Sequence, residues 1–396
     1  MIFLSNHAME NMTHMSLDYK LKAISETEFA SLQTEWNKLL LQSCSRSFFL
    51  KWEWLYSYWL SIKSDDNKLV ILAVKDDVDL VAIAPFYAVR RSCLGIPIWK
   101  IKFLGEDVAS DYLDFIVKPG HEDKCVQLFL DEFANMAFST IALSGFSRDS
   151  ILHRYGFPEL AKRRWHFLAS IANKCPEIAL PRSENELIGQ LSSNTRYNLK
   201  RREKQLRKEY SRVEFSIVEF NKNDELVDTL FRLHAARWDS MEHRASTFNN
   251  DFRRDFHRNL NAVAGSDDGF FALAQVDDKI VSIILVFHFR GHYFFYQNGW
   301  DPQFSKFSIG IVHLFYVVLY CISRNGDTFS MLRGEESYKF KFANAATTLH
   351  SIVIFEHGLV GKAAYWTARM WRSAKMIGKA MIKKKPSVAE QMKKQD

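Results

Sequence analysis

The sequence predicts an α/β protein made of two related halves, with mixed sheets flanked by helices and a basic C-terminal tail. Three observations predict this: a repeated helix–hairpin pattern, a strand–loop–helix–strand unit in the second half, and a change of composition after Phe355. At 396 residues the chain is long enough for two domains with cores of their own. We expect the domain ranges 16–178 and 179–356, followed by a tail over 357–396.

The repeat appears when Leu72–Phe86 (LAVKDDVDLVAIAPF) is compared with Leu273–Phe287 (LAQVDDKIVSIILVF). Each segment has an apolar strand, an Asp-Asp turn and a second β-branched strand, which is typical of a hairpin. Each hairpin follows helical periodicity, at 48–60 and at 251–263. A helix followed by a hairpin, twice over, indicates duplication of one α/β unit.

A parallel crossover is predicted in the second half. The strand Tyr293–Gly299 leads through a loop at 300–308 into the apolar helix Ile309–Arg324, and the strand Thr328–Leu332 follows. A strand, a buried helix and another strand in this order favour parallel pairing of the two strands.

The net charge of +7 is concentrated in two segments. The tail 357–396 has ten Lys and Arg residues against two acidic ones, and residues 196–212 have eight against two. In the tail, aromatic residues and Met interleave with Lys and Arg. This pattern predicts an amphipathic segment at 360–385 that suits an anionic membrane surface.

Localisation is predicted from what the sequence lacks. Its five cysteines are scattered without a C-x-x-C pair, which fits a reducing compartment. The first residues do not form a signal peptide, and the longest apolar run, 309–322, is shorter than the roughly 20 residues that cross a bilayer. We expect a cytoplasmic protein, with peripheral attachment to the inner face of the inner membrane through the tail.

Several well-defined signatures are missing: the P-loop, G-x-G-x-x-G, H-E-x-x-H and G-x-S-x-G. Their absence argues against P-loop phosphoryl transfer, hydride transfer and zinc hydrolysis, and no metal site is predicted. The loop DPQFSKFSIGI, however, ends at the start of the apolar helix. Lys306, Ser308 and Gly310 there suit a phosphate at a helix N-terminus, with Ser308 as cap and Gly310 allowing close approach. The alternative is an ordinary capped helix.

A second cluster, Arg333–Lys339 (RGEESYK), follows the strand 328–332 directly. Ligands in α/β sheets bind beyond the carboxyl ends of strands. Acyl transfer to an amine needs a base, a group that stabilises the oxyanion and an acid for the leaving group, and Glu, Lys and Tyr can supply all three. The alternative is a solvated turn in which Glu336 pairs with Lys339.

Two further clusters are candidates for the acceptor side. The segment SDYLDF, read as a strand, contains Asp111, Tyr112 and Asp114, where a solvent-facing strand is the alternative. The helix 224–240 carries three further candidates, His234, Arg237 and Trp238. The alternative for His234 is a core histidine that is satisfied by a backbone carbonyl. The basic helix Thr195–Tyr210 either grips phosphates or is simply solvated.

These blocks together resemble the CelD-type family of GNAT acyltransferases, which is associated with cellulose and exopolysaccharide biosynthesis and related to the Fem-type peptidyltransferases. The likeness extends from about Phe48 to Phe355 and depends on the order and spacing of eight blocks: FFLKWEWLYSYW, LVAIAPFY, FLG, SDYLDFIV, NTRYNLKRREKQL, LFRLHAARW, YFFYQNGWDPQFSKFSIG and LRGEESYKFKF.

The resemblance implies two tandem GNAT-like domains with the acyl-donor site in the second. The Lys306–Gly310 loop would hold the pyrophosphate of an acyl-CoA such as acetyl-CoA, although it departs from the usual Q/R-x-x-G-x-G/A motif. Lys339 would stabilise charge, with Lys341 as the fallback. Glu335 would be the base or its water-mediated partner, and Tyr338 the proton donor to the leaving thiolate. The acceptor side would be lined by Asp111, Tyr112, Asp114, His234, Arg237 and Trp238.

The implied reaction is amide formation on an amine, such as an amino sugar or a precursor in envelope or exopolysaccharide biosynthesis. The partner is then a small-molecule or saccharide acceptor. One alternative is a Fem-type ligase that takes its acyl group from aminoacyl-tRNA, the one reading in which nucleic acid is a partner. Another is a non-catalytic scaffold that docks a polysaccharide synthase at the membrane surface.

Overall fold

The fold is given by a computed structural model that describes residues 18–77, 79–93, 96–136, 138–220, 222–240, 246, 248, 250–334 and 336–383. The described residues form thirteen strands: β1 Tyr19–Ile24, β2 Asn67–Asp76, β3 Asp79–Cys93, β4 Ile96–Phe103, β5 Ile116–Val117, β6 Thr140–Ser147, β7 Phe167–Ala179, β8 Val213–Glu219, β9 Gly269–Val276, β10 Lys279–Phe289, β11 His292–Trp300, β12 Thr328–Ser330 and β13 Ala345–Phe355.

The α-helices among these residues are α1 Glu26–Ser31, α2 Gln33–Gln42, α3 Trp52–Ile62, α4 Glu122–Asn135, α5 Phe157–Lys162, α6 Glu184–Gln190, α7 Ser193–Glu209, α8 Asp224–Asp239, α9 Asp251–Val263, α10 Ile309–Ser323 and α11 Leu359–Lys383. Side chains set several of their starts: Ser192 caps α7 through the backbone N–H of Thr195, and Asn250 caps α9 through that of Phe252.

All thirteen strands belong to one mixed sheet with the order β1-β2-β3-β4-β6-β13-β7-β12-β11-β10-β9-β8, and β5 pairs with β3 beside it. Read inward from either edge, four antiparallel strands lead to a fifth that pairs in parallel: β4 with β6, and β11 with β12. A helix, α4 or α10, connects each parallel pair. The sheet confirms the mixed α/β fold, the duplicated unit and the crossover predicted from the sequence.

The two halves exchange their last strands at the middle of the sheet. β13 lies between β6 and β7, while β7 pairs with β12 of the second half. The sheet therefore continues across the predicted domain boundary at residue 178. The domain ranges 16–178 and 179–356 stay a prediction.

The largest apolar core is shared by both halves. Helix α3 packs on α9, Phe48 stacks on Phe287 with ring centroids 4.5 Å apart, and Trp54 packs edge-on against Phe256 at 4.7 Å. A second core lies on the opposite face, where α10 covers β9 to β12 with buried residues such as Val317. The strands β9 to β12 are therefore held between two apolar layers.

The predicted strand at SDYLDF is wrong. Residues 110–115 form a loop in which Tyr112 has a φ of +58°, a conformation that a strand residue does not adopt. The reason is that Asp111 and Asp114 both turn inward to accept hydrogen bonds, which breaks the expected alternation.

The tail was predicted to be amphipathic, and its described part forms the long helix α11. Among the residues that the model describes, no helix is both long enough and apolar enough to cross a bilayer.

Candidate functional site

The strands β11 and β12 pair over three residues each and then separate. The last pair is Phe294 with Ser330. Beyond it β11 continues to Trp300, while the segment that follows β12 turns away from β11. A β-bulge in β11 at the same level adds to the divergence. We call the space between β11 and residues 331–338 the strand gap.

Polar side chains from three elements meet in the strand gap. Arg237 of α8 donates a hydrogen bond from Nη1 to Oδ1 of Asn298 on β11. Tyr338 lies beside the same guanidinium. The Nε atom of Arg237 is buried and has no hydrogen-bond partner among the described residues. Arg237 and Tyr338 are half-buried there, and Asn298 is buried.

The protonation of Tyr338 follows from its surroundings. Burial raises the pKa of the phenol to about 12, although the neighbouring Arg237 guanidinium lowers it in part. The hydroxyl is therefore protonated near neutral pH. It can donate a proton to an anionic leaving group, which is the role predicted for it.

His234 and Trp238 support the gap from α8. The Nε1 atom of Trp238 donates to Nε2 of His234 at 2.9 Å, and Nδ1 of His234 lies 2.8 Å from the hydroxyl of Ser246. Burial lowers the pKa of His234 to about 3, so the ring is neutral. Both ring nitrogens have partners, which makes His234 a group that positions α8 near the gap. Its partners are side chains, whereas the core alternative assumed a backbone carbonyl.

Lys339 is a buried residue with 4% of its surface exposed. Its ammonium group donates to the carbonyl of Arg333 at 2.9 Å and lies 3.1 Å from a carboxylate oxygen of Glu336. The predicted ion pair between Glu336 and Lys339 is present, but Lys339 is buried. Its ammonium group connects the two ends of the charged segment 333–339. Glu335, the predicted base, lies outside the described residues.

The charged segment is also fixed to the first half of the chain. Asp111 is fully buried and accepts hydrogen bonds from the backbone N–H of Arg333 at 2.8 Å and from its Nε at 2.7 Å. Arg333 donates further to the carbonyl of Ser110 at 2.6 Å. Burial raises the pKa of Asp111, and the guanidinium opposes that rise. This ion pair orients the segment that carries Tyr338.

Asp114 and Tyr112 make structural contacts instead of entering the strand gap. Asp114 accepts from the backbone N–H of Ile151 at 2.6 Å and of Leu152 at 3.0 Å, and burial raises its pKa to about 7. The hydroxyl of Tyr112 donates to Glu177 at 2.6 Å. Both residues line a separate cavity of about 320 Å³ at the seam between the halves.

A second cavity, of about 220 Å³, lies at the start of α10, and we call it the helix-start cavity. Its lining combines the start of α10, the basic helix α7 and the turn that follows the charged segment: Ser308, Ile311, Val312, Asn194, Thr195, Asn198, Leu199, Arg202 and Lys341. The first turn of α10 contains no acidic residue. Backbone N–H groups at a helix start and two cations suit an anionic ligand.

The helix-start cavity and the strand gap are adjacent along the chain. Residues 339–341 form a 3₁₀ turn in which the N–H of Lys341 bonds to the carbonyl of Tyr338 at 3.2 Å. Side chains three residues apart eclipse one another in such a turn. Tyr338 at the gap and Lys341 at the cavity therefore lie on the same side of it.

Three details of the predicted phosphate loop need correction. Ser308 lines the cavity but makes no capping hydrogen bond, because its φ of 51° directs the side chain away from the first turn. A Cβ at Gly310 would lie 3.2 Å from the ring of Trp300, so this glycine makes room for an indole. The ammonium of Lys306 pairs with Glu209 on α7.

The sequence reasoning missed Asn298 and did not choose Arg202, and it gave Lys341 only as the fallback. Gln297 and Asn298 together end the aromatic run of β11 just before Gly299, which was a usable signal. Arg202 lies within a run of cations whose sequence gives no sign of which one faces α10.

Comparison with known proteins gives one family match, over part of the chain. Residues 193–340 match the family model described as an acetyltransferase (GNAT) domain. This range contains α7, the gap residues and the charged segment. No curated protein sequence matches the chain.

Solved structures resemble the fold over most of the chain. FemX superposes with a TM-score of 0.58 at 9% identity, over 84% of this chain and 96% of FemX. A protein of unknown function from Bacteroides thetaiotaomicron gives 0.53 at 12% identity, over 86% and 100%. The C-terminal domain of a protein described as a lysylphosphatidylglycerol synthetase, from Agrobacterium fabrum, gives 0.51 at 11%, over 86% and 95%. At these identities the likeness shows the fold alone.

Proposed function

We propose that the protein is an N-acyltransferase that moves an acyl group from an acyl-CoA, such as acetyl-CoA, to an amine. One observation carries the proposal. The strand gap with Arg237 and Tyr338 adjoins the helix-start cavity with Arg202 and Lys341, and the range that matches the GNAT domain includes three of these four residues. An acyl-CoA has an anionic diphosphate and a reactive thioester joined by the pantetheine arm, so its binding needs an anion site and a reaction site that the arm can connect.

In this proposal the diphosphate binds at the start of α10 between Arg202 and Lys341. The amine nitrogen attacks the thioester carbonyl carbon, the C–S bond breaks, and a base takes the proton from nitrogen. Arg237 and Asn298 donate hydrogen bonds to the oxyanion, and Tyr338 gives its proton to the thiolate of CoA. Glu335 remains our prediction for the base.

Lys339 and Asp111 act as positioning residues in the revised proposal. Lys339 closes the charged segment through the carbonyl of Arg333, and Asp111 anchors that segment through the Arg333 side chain. Neither side chain has a free polar atom to offer to a substrate. Lys306, Gly310 and Asp114 are no longer included as ligand contacts, because each has a structural partner. Arg202 is kept, because its hydrogen bond to the carbonyl of Lys306 uses only one of the five N–H groups of the guanidinium.

The acceptor that the CelD-type resemblance favours is an amino sugar or a related precursor of envelope or exopolysaccharide synthesis. The rival donor is aminoacyl-tRNA, as in Fem-type enzymes, and the fold likeness to FemX and the basic helix α7 favour that reading. A non-catalytic scaffold remains the third possibility and predicts no donor binding.

Thermal unfolding with candidate donors tests the proposal. Acetyl-CoA at about a hundred times its Kd should stabilise the protein by about 2.7 kcal/mol, because only the native state binds it. The double variant Arg202→Gln/Lys341→Gln should lose most of this shift, whereas Lys124→Gln at the start of α4 should keep it. A shift with aminoacyl-tRNA but with no acyl-CoA would replace our donor by the rival. The absence of a shift with either would favour the scaffold.

Thiol release from acetyl-CoA in the presence of amines then tests the reaction itself. Release that depends on glucosamine or another amino sugar supports the acceptor class. Release with simple amines but with no amino sugar would keep the transferase and reject the saccharide acceptor.

A further inference from the structure

Helix α11 turns an apolar stripe away from the body of the protein. The side of α11 that meets the body contains Gly361, which is buried, and Tyr365, whose ring stacks on His166 with centroids 4.9 Å apart. Tyr365 also packs edge-on against Phe355 of β13 at 5.7 Å. These contacts fix which face of the helix looks outward.

The outward face contains large apolar side chains. With 3.6 residues per turn, Leu359, Trp366 and Met370 lie on one side, opposite Gly361 and Tyr365. Their exposed fractions are 85%, 53% and 71%. The same spacing returns in the sequence at 377 and 381, which are Ile and Met. An apolar stripe on the solvent side of a helix is unusual unless a partner covers it.

The charge of α11 limits what that partner can be. Residues 359–383 contain six Lys and Arg residues and no Asp or Glu. Lys362 and Arg369 flank the stripe, and the guanidinium of Arg369 lies 5.1 Å from the ring of Trp366. A second copy of α11 would bring the same positive charge against this one. An anionic surface with an apolar interior complements both the stripe and the cations.

We propose that α11 binds an anionic membrane surface, with the stripe buried at the boundary between headgroups and acyl chains. Trp366 and Met370 supply the apolar contact, and Lys362 and Arg369 reach the lipid phosphates. The helix lies in the interface and does not span the bilayer.

Vesicle sedimentation of the full chain tests this proposal. The protein should pellet with vesicles of phosphatidylcholine mixed with phosphatidylglycerol, and binding should fall steeply as salt rises. The double variant Trp366→Asp/Met370→Asp should lower the partition coefficient about a hundredfold, because two large apolar contacts are lost. Lys362→Gln should lower it about fivefold.

The matched control is Leu41→Asp/Leu60→Asp, which replaces two exposed apolar residues on α2 and α3 that are 58% and 44% exposed. This control should bind vesicles like the unchanged protein. Equal binding to pure phosphatidylcholine, no binding to either vesicle, or unchanged binding of the α11 variant would overturn the proposal. So would a dimer in sedimentation that Trp366→Asp dissociates, because a second copy would then cover the stripe.

The thermal shift with acetyl-CoA separates this proposal from the proposed enzyme activity. The α11 double variant should keep the full shift, since Trp366 and Met370 lie on the outward face of a helix that packs on β7 and β13 and have no part in the donor site. If the α11 variant loses vesicle binding but keeps the thermal shift, only the membrane contact of α11 has been removed. If it loses the thermal shift, the donor site has been affected as well.

Discussion

The two halves of the molecule share one architecture but differ at the point where their parallel strands end. In the first half, after the pair of β4 with β6, Phe103 packs on the ring of Phe115 with centroids 6.3 Å apart. The charged side chains beside them, Lys102 and Asp107, are paired with each other at 2.6 Å. In the second half the corresponding region is the strand gap, which is polar, with Arg237, Asn298 and Tyr338. A duplicated unit has thus become a packed support in one copy and a candidate reaction site in the other.

Helices α4 and α10, which connect the parallel strands, also differ in the charge at their starts. The first turn of α4 contains Glu122 and Asp123, which disfavour an anion at that helix start. The first turn of α10 has no acidic residue and lies beside Arg202 and Lys341. The first half contributes to the site through Asp111, which holds the charged segment in place.

The largest expected effect comes from separating the halves at the Asp111–Arg333 pair. Asp111→Ala should lower the free energy of unfolding by about 3 kcal/mol, because it leaves a partly buried guanidinium without its counter-ion. Urea denaturation measures this loss. Asp131→Ala removes a similar but exposed partner from Arg163 and should cost less than about 1 kcal/mol. Equal costs for the two variants would mean that the pair does not hold the halves together.

The next largest effect is expected when the proton donor Tyr338 is removed from the strand gap. Tyr338→Phe should lower kcat about a hundredfold with little change in the KM for acetyl-CoA, because general acid catalysis is lost and the diphosphate site is kept. Tyr87→Phe is the matched control. It removes a buried tyrosine hydroxyl of the first half, bonded to Asp107, and should leave kcat within about twofold. An unchanged kcat in Tyr338→Phe would remove this residue from the mechanism.

Acid should destabilise the second half through His234. Its pKa is about 3 in the folded protein and 6.5 as the ordinary value, so the unfolded state binds more protons between these values. The stability is fully present above pH 6.5 and falls as the pH decreases, by on the order of 2 kcal/mol at pH 5. In His234→Gln the difference in unfolding free energy between pH 7 and pH 5 should shrink accordingly. An identical pH dependence in both proteins would contradict burial of a neutral ring.

The smallest effect concerns donor affinity. Arg202→Gln/Lys341→Gln should raise the KM for acetyl-CoA about tenfold and leave kcat nearly unchanged, because these cations contact the diphosphate in both ground and transition states. Lys124→Gln, at the start of α4, should change neither constant. A KM that responds equally to both changes would indicate a general effect of net charge.

Local pattern predicted most of the elements. The helix at 251–263 and both hairpins follow from periodicity and turn residues, and the apolar helix after a strand predicted the parallel crossover. The exchange of β7 and β13 could not be predicted in this way, because pairing between distant strands leaves no local periodicity.

The site was predicted in outline but not in detail. The sequence located the charged segment 333–339 and the start of α10, and it placed Arg237 on the acceptor side. It did not indicate the long-range contacts of Asp114, Lys306 and Gly310, which are a backbone cap, a pair with α7 and an indole ring. Polar residues in a sequence look alike whether their partner is a ligand or another part of the fold.

Hydrogen–deuterium exchange with and without acetyl-CoA tests most directly the claim that only the second half binds the donor. Bound acetyl-CoA should slow exchange at residues 308–312 and 331–341, where the helix-start cavity and the strand gap lie. Exchange at 100–104 and 119–126, the corresponding positions of the first half, should be unchanged. Protection of the first-half segments, or of neither set under conditions that saturate binding, would contradict the account.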